Sequence, residues 1–358
     1  MKKTLLATAI AGAMGLSAAS AQAATVYNQD GTKLDIYGNI QLAYFNVQDE
    51  NGNSEDEIGD NGSTFGFAAE HVINAGLTGY LKLEFDDFQA DEMAVAGRDA
   101  GDTAYVGLRG DFGDVRLGSY DTLIDDWIQD PISNNEGFDL SDSDSLISNV
   151  GTNDRQGDKL TFTSPNFSGF QFAVGTQFKG DAEENEFELT ATDGSDYEHT
   201  VRSDSNASFF GGVKYTVGAF SIAAVYDNLD NYDGEITDTG SNPDLSLGEF
   251  ELGDQYGVTA QYTIDSLRLA AKVERFDSED SNSDVDFYAL GARYGYGMGD
   301  VYGAYQRVDV DQGDDRDEVN IGATYNLSDA MYTWVEAAWY DQENDEDDAV
   351  GVGITYLF

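Results

Sequence analysis

Segments of about ten residues, in which apolar and polar side chains alternate, recur along most of this chain. In residues 255–264, for example, Tyr256, Val258 and Tyr262 share one face, and Gln261 lies on the opposite face. A strict period of two indicates a β-strand with one apolar and one polar face. Sixteen such segments predict an all-β fold. They begin near Leu34, Ser63, Leu77, Asp102, Asp114, Asp158, Gly169, Ser205, Ala219, Asp254, Ser266, Asp284, Asp300, Arg316, Met331 and Ala349.

The connections between these segments alternate in length. One set is short and rich in turn-forming residues, as at 74–76 and 297–299, and the other is longer and mostly acidic, as at 48–62 and 341–348. Alternating faces with turns at one end and long loops at the other are typical of outer-membrane barrels. Lipid leaves no backbone group unpaired, so the sheet must close. We therefore predict a sixteen-stranded antiparallel transmembrane β-barrel with short periplasmic turns, long external loops and an aqueous bore. A large soluble β-sandwich would explain the alternation but not the one-sided loop lengths.

The N-terminal segment has the features of a secretory signal peptide. Two lysines near the start precede an apolar stretch at 5–16, and residues 21–23 form a small-residue cleavage site. We expect residues 1–23 to be removed and residues 24–358 to form one barrel domain. No later apolar run approaches the ~20 residues that a membrane helix needs.

Charge and composition exclude several classes of function. The chain has 68 acidic and 18 basic residues, a formal net charge of −50 at pH 7. Nucleic-acid binders need a basic surface, so no nucleic-acid partner is expected. Cysteine is absent, which excludes disulfides and thiolate chemistry. The two histidines, His71 and His199, fall at a strand end and in an acidic loop, so no Ser-based catalytic group can be built around them. We expect no enzyme activity, cofactor or metal site.

One connection, residues 120–150, is unusually long and carries only acidic charge. It has no Lys, Arg or His, while Trp127, Ile128 and Phe138 give it apolar surface for packing. Long aperiodic segments inside a compact domain are usually functional loops or disordered. We expect this segment to fold into the barrel and narrow its bore, and a solvated acidic surface loop is the competing interpretation. Its carboxylates are Asp121, Asp125, Asp126, Asp130, Glu136, Asp139, Asp142 and Asp144.

Several stretches resemble the general diffusion porins of the Gram-negative outer membrane. They are 26–38 (VYNQDGTKLDIYG), 63–67 (STFGF), 103–118 (TAYVGLRGDFGDVRLG), 160–172 (LTFTSPNFSGFQF) and 354–358 (ITYLF). The resemblance implies a homotrimer in the outer membrane, in contact with membrane lipid and lipopolysaccharide. It also implies that the third long loop, residues 120–150, forms the constriction. The C-terminal Phe358 resembles the signal that the barrel-assembly machinery reads.

The resemblance is incomplete at the expected constriction. The family places a ladder of basic residues opposite the third loop, but this chain has Asn39, Thr64 and Ser119 at three matching positions. Only Arg155 keeps a basic residue there. Strand parity directs other basic side chains into the bore, so the bore is not purely negative. The basic side chains that parity directs inward are those of Lys82, Lys159, Lys214, Lys272 and Arg293.

The sequence therefore predicts a passive, cation-preferring diffusion channel for ions and small hydrophilic solutes, because charges at the narrowest point set ion preference. The alternative is a structural or adhesive surface protein whose barrel anchors the acidic loops. A substrate-specific sugar porin is a third possibility, but it would need more strands and an aromatic path for sugar rings. The residues expected at the constriction are Asp125, Asp126, Asp130, Glu136, Asp139, Arg155, Asn39, Thr64 and Ser119.

Overall fold

A computed structural model describes most of the chain after residue 22. The described residues are 23–49, 51–85, 90, 103–133, 135–145, 157–178, 186–188, 199–203, 207–238, 245–279, 284–311, 313–342 and 345–358. Arg155 and residues 1–22 of the expected signal peptide lie outside these ranges. No helix within them is long and apolar enough to cross a membrane.

Sixteen antiparallel strands form one closed wall, which confirms the predicted fold class. Every wall strand begins within two residues of its predicted position. Numbered in chain order, the wall strands are β1 (Thr32–Gln48), β2 (Thr64–Asn74), β3 (Leu77–Phe85), β4 (Thr103–Gly110), β5 (Gly113–Ser119), β6 (Lys159–Thr163), β7 (Phe170–Phe178), β8 (Ala207–Val217), β9 (Phe220–Asn228), β10 (Asp254–Ile264), β11 (Leu267–Asp277), β12 (Val285–Gly295), β13 (Asp300–Val310), β14 (Arg316–Ser328), β15 (Met331–Trp339) and β16 (Ala349–Leu357).

The wall closes because its last strand pairs with its first. β16 runs antiparallel to β1, with Asn39 opposite Leu357 and Val47 opposite Ala349. The backbones of Gly38 and Phe358 exchange two hydrogen bonds of 3.0 Å, which fasten the C-terminus to β1. A closed ladder has no free edge, so the backbone groups of the wall are paired within the sheet.

The two faces of the wall differ in polarity along every strand. On β10, the side chains of Tyr256 and Val258 are exposed on the outer face, whereas Gln255 and Thr259 point inward and are buried. The same parity holds on β14, where Ile321 is exposed and Glu318 is buried. Apolar side chains therefore face outward and polar side chains face inward, as the alternating pattern predicts.

Further strands lie in the longer connections. Ala24–Gln29 pairs with the start of β1, and Ser54–Asp60 pairs with its end. The connections after β7 and β9 together build a separate four-stranded antiparallel sheet. The sequence predicts only long, mostly acidic loops here, because these connections lack the alternation of apolar residues that marks the wall strands. The four strands are Glu186–Glu188, His199–Ser203, Gly234–Asp238 and Leu245–Phe250.

The connection after β9 also folds over the inner wall at the loop end of the barrel. A short 3₁₀ turn, Asp230–Tyr232, brings Tyr232 into a buried cluster with Leu252. The cluster packs on inward-facing Phe287 and Val308 of β12 and β13. Apolar residues therefore narrow this mouth from one side.

Candidate functional site

The long segment after β5 turns into the barrel at Gly118. The backbone of Gly118 has φ of +138°, and a Cβ atom there would lie 2.2 Å from the carbonyl oxygen of Ala104. Only glycine fits such a close approach in this conformation. Two residues later Tyr120 is buried, and its hydroxyl lies 2.8 Å from Oγ1 of Thr161 on β6.

The helical part of this segment packs its apolar side chains on small residues of the inner wall. A π-helical turn, Asp125–Gln129, continues as an α-helical turn, Asp130–Ser133. Burying such apolar side chains stabilises the folded position. The first cluster joins Leu123, Ile124 and Ile128 to Ala173, Phe210, Ala223 and Val225, and the second joins Ile132 and Leu140 to Ala270, Ala289 and Ala304. The segment thus lies against β7–β13 inside the barrel.

Glu336 of β15 holds the middle of the segment through the backbone. Backbone N–H groups of residues 136–138 donate hydrogen bonds of 3.0, 3.2 and 2.6 Å to its carboxylate. Asn320 donates a fourth at 2.9 Å, and the hydroxyl of Tyr302 donates a fifth. A carboxylate that accepts several hydrogen bonds in a buried position fixes the geometry of its donors.

Two further wall glutamates repeat this arrangement. Glu318 of β14 accepts from the backbone N–H of Ser141 at 2.9 Å and from its hydroxyl. Glu274 of β11 accepts from the backbone N–H of Ser143 at 2.9 Å and from Nε2 of Gln129 at 2.8 Å. All three glutamates are at most 1 % exposed. We call the inward faces of β7–β15 the loop-bearing wall, and the inward faces of β1–β4, across the bore, the facing wall.

Some acids of the segment face bases of the wall. Asp126 is attracted by Arg116, Lys159 and Lys214, and burial nevertheless raises its pKa to about 6. The carboxylate of Glu136 lies 3.1 Å from the guanidinium of Arg293. Burial raises the pKa of Glu136 while this guanidinium lowers it. Both acids therefore lie near bases, but burial keeps the pKa of each above its usual range.

Asp125 and Asp139 face other acids instead. Burial, followed by repulsion from Asp130 and Asp121, raises the pKa of Asp125 well above its usual range. Burial, followed by repulsion from Asp142 and Glu336, raises the pKa of Asp139 to about 7. In the part of the chain that the structure describes, neither carboxylate has a basic partner within 4.0 Å. Asp139 is solvent-exposed, so its carboxylate, once ionised, is accessible to ions.

The facing wall carries neutral residues at the level of β1 and β2. Nδ2 of Asn39 donates a 2.9 Å hydrogen bond to Oγ1 of Thr64, so these two predicted site residues lie together. The nearby Lys82 is 3.1 Å from Glu84 of the same strand. Ser119 is the last residue of β5 and pairs with Ala104. Arg155 lies outside the described residues.

Sequence reasoning missed the wall glutamates and two wall arginines, Arg116 and Arg268. The available signal was strand parity, because Glu274, Glu318 and Glu336 all occupy inward positions of predicted strands. Parity does not say which inward side chains meet the loop. The five lysine and arginine residues that parity directed into the bore do lie on inward faces. They are Lys82, Lys159, Lys214, Lys272 and Arg293.

A closed barrel with an acidic segment in its bore defines a channel-forming outer-membrane protein. The model of the Gram-negative porin family matches residues 7–345, and the chain belongs to this family. Porins are passive diffusion channels of the outer membrane, and this chain resides there.

Named relatives support this assignment. The chain is 58% identical over 390 residues to a protein named "Monosaccharide porin" from Halomonas sp., and the match covers 100% of both chains. It is equally similar to the "Major outer membrane protein" of Halomonas elongata. It is 28% identical, again over the full length of both, to "Outer membrane porin F" of Escherichia coli strain K12.

Solved structures share the fold at low sequence identity. The OmpF of Salmonella typhi in complex with daunomycin superimposes with a TM-score of 0.64, covering 94% of this chain and 100% of that chain at 18% identity. The anion-selective porin of Comamonas acidovorans superimposes with a TM-score of 0.67, covering 91% of this chain and 100% of that chain, also at 18% identity. One neighbour is therefore named for anion selectivity, so the fold alone does not set the sign of ion preference.

Proposed function

We propose that this porin is a passive, cation-preferring channel for ions and hydrophilic solutes up to the size of a monosaccharide. The observation that carries the preference is Asp139, which is solvent-exposed, is surrounded by acids rather than bases and ionises above its pKa of about 7. Asp125 is also proposed for the constriction, but burial and neighbouring acids hold its pKa well above the usual range, so it keeps its proton to higher pH than an ordinary aspartate. The other residues proposed for the constriction are Asp126, Asp130, Glu136, Asn39, Thr64, Ser119 and Arg155.

The sign of the preference follows from local charge balance. Three of the inward bases are matched by acids, because Lys82 pairs with Glu84, Lys272 with Glu274 and Arg293 with Glu136. A matched pair contributes little field beyond its own length, whereas an unmatched carboxylate attracts cations over roughly a Debye length, ~10 Å at 0.1 M salt. The unmatched charges on the segment are negative, which favours cations.

Solute size is proposed from the relative named "Monosaccharide porin", which is 58% identical to this chain over its full length. The described part of the segment 120–145 lies inside the barrel against β7–β15, so it reduces the width left for a solute. We expect monosaccharides to pass more readily than disaccharides.

The assembly is proposed to be a homotrimer embedded in outer-membrane lipid and lipopolysaccharide. A fold neighbour, OmpT of Vibrio cholerae, is described in a trimer form and superimposes with a TM-score of 0.59. We also propose that residues 1–23 are removed on export and that Phe358 is the residue read by the barrel-assembly machinery. Intact mass of the purified protein and heat-modifiable migration in detergent test these points.

Planar-bilayer conductance of the purified protein tests the function. An open, ohmic pore supports the channel. A barrel that folds but stays electrically silent would instead support a structural or adhesive surface protein with acidic loops. Liposome swelling with D-glucose and sucrose then tests the size limit, and equal rates for both sugars would contradict it.

A further inference from the structure

Two arginines stand side by side on the loop-bearing wall beneath the helical turn. Arg268 of β11 is directly opposite Arg293 of β12 in the strand register, and both point inward. Together with Tyr302 they line a small pocket that is closed on the other side by the segment. The residues contributed by the segment are Pro131, Ile132 and Asn135.

The two guanidinium groups have different surroundings. Arg293 lies 3.1 Å from Glu136 and 3.5 Å from Asp300, and its guanidinium carbon is 4.6 Å from the centre of the Tyr302 ring. Among the described residues, Arg268 has neither a hydrogen bond nor an ion pair within 4.0 Å. Asp130 and Asp300 attract its charge from a greater distance. A guanidinium presents five N–H donors in a rigid fork. Those of Arg268 are therefore available to a solute.

The charges around the pocket decide the class of solute. Glu136 and Asp300 lie 3.1 and 3.5 Å from the guanidinium of Arg293, and Asp130 attracts Arg268 electrostatically, so three acids act on two bases at this site. An anion would be repelled by these carboxylates, and a cation by the neighbouring Arg268. A neutral polyol suits both kinds of group, because each hydroxyl both donates and accepts hydrogen bonds.

The pocket volume limits how much of the solute can enter. The cavity is about 10 Å³, which is room for roughly one water-sized group. A hydroxyl fits, whereas a sugar ring must remain in the bore.

We propose that Arg268 and the adjacent carboxylates form a transient binding site for one hydroxyl of a neutral monosaccharide on its way through the channel. This inference rests on the proposed function, and it names the residues that would favour sugars over other neutral solutes of similar size.

The test uses the purified assembly in a planar bilayer, with D-glucose as the probe and D-glucuronate as the charged comparison. The wild-type ion current should fall with glucose in a saturable manner. Arg268→Gln should raise the half-saturating glucose concentration about tenfold, as expected for losing hydrogen bonds from a charged donor. Arg268→Lys keeps the positive charge but removes the planar guanidinium, and it should weaken glucose binding several-fold. Arg109→Gln is the matched control, because Arg109 points inward on β4, away from the pocket. This variant should leave the half-saturating glucose concentration unchanged.

The possible outcomes separate the two proposals. A glucose effect that never saturates, or equal behaviour of Arg268→Gln and Arg109→Gln, would overturn the sugar site while leaving an open channel. Saturation with glucuronate but not glucose would replace it with an anion site. A barrel that is silent in salt alone would overturn the proposed channel itself.

Discussion

The two sides of the bore use acidic residues in different ways. On the facing wall, acids pair with neighbouring wall bases, as in Lys33–Asp35 at 2.6 Å and Lys82–Glu84 at 3.1 Å. On the loop-bearing wall, the buried carboxylates of Glu336 and Glu318 accept hydrogen bonds from the backbone of the segment. Glu318 also pairs with Arg316 at 2.8 Å, so acids of the loop-bearing wall position a loop in addition to balancing charge.

This difference explains how so acidic a protein can build a defined constriction. Wall carboxylates that accept backbone N–H groups are buried, so passing ions do not contact them directly. The carboxylates that passing ions can contact are solvent-exposed ones of the segment, such as Asp139. Positioning and selectivity therefore depend on different residues, and mutations should separate them.

Arginine substitutions on β10 test which face of the barrel wall points into the bore. Val258 points outward and Gln261 points inward on the same strand. Val258→Arg should cost about 2–4 kcal/mol of folding free energy near the bilayer midplane, whereas Gln261→Arg should be tolerated. Reversible unfolding in lipid vesicles measures both. Equal costs would show that the inner and outer faces are wrongly assigned.

Removing one positioning glutamate should loosen the loop. Glu336→Ala leaves the N–H groups of residues 136–138 without their acceptor, and an unsatisfied buried donor costs about 1–3 kcal/mol. We expect a loss of about 3 kcal/mol in unfolding free energy, a larger single-channel conductance and weaker discrimination between glucose and sucrose.

The matched control is Glu57→Ala, on the exposed strand Ser54–Asp60. It removes the same charge from the protein and should change neither stability nor sugar discrimination. If Glu336→Ala keeps the wild-type conductance, the carboxylate does not hold the segment in place.

Acidification should weaken the cation preference at an unusually high pH. The pKa of Asp126 is raised to about 6 and that of Asp139 to about 7, both primarily by burial. Conductance in dilute KCl should therefore fall between about pH 8 and pH 5, rather than near the ordinary aspartate pKa of ~3.9. Because these folded-state pKa values are raised, the same groups stabilise the barrel at low pH and lose that contribution as pH rises through 6–7.

Asp139→Asn should flatten the upper part of this pH profile. Because the Asp139 side chain contacts water, solvent reduces the effect of its raised pKa on folding. We therefore expect Asp139→Asn to change the free energy of unfolding less than it changes the conductance. A single midpoint near pH 4 would mean that the segment carboxylates are fully solvated.

The smallest expected effect concerns the start of the segment. The ring of Tyr120 lies 4.1 Å from the guanidinium of Arg116 and 5.0 Å from the ammonium of Lys159. Tyr120→Phe keeps these ring contacts and removes the hydrogen bonds of the hydroxyl to Thr161 and to the carbonyl of Arg116, so we expect a loss of about 1 kcal/mol. Denaturant unfolding measures it. A loss as large as that of Glu336→Ala would place the main attachment at Tyr120 instead.

The fold was predictable from sequence because a barrel strand must alternate its faces, and this alternation is visible in segments such as 255–264. The position of the long acidic segment was predictable from loop order. The residues that hold it were not, because parity marks Glu318, Glu336 and Thr355 alike as inward. Only the packing of Ile128 and Leu140 on inner-wall alanines shows which inward side chains the segment meets.

The reversal potential across a tenfold KCl gradient at about pH 8, above the pKa of about 6 at Asp126 and of about 7 at Asp139, tests the central claim most directly. The ionised carboxylate of Asp139, which faces acids rather than bases, predicts a cation-selective value in dilute salt that shrinks toward zero near ~1 M, where the Debye length is ~3 Å. Replacing both Asn39 and Thr64 on the facing wall by arginine should reduce this cation-selective reversal potential. A value near zero or on the anion-selective side for the wild type would contradict the account, because it would mean that the wall bases outweigh the segment.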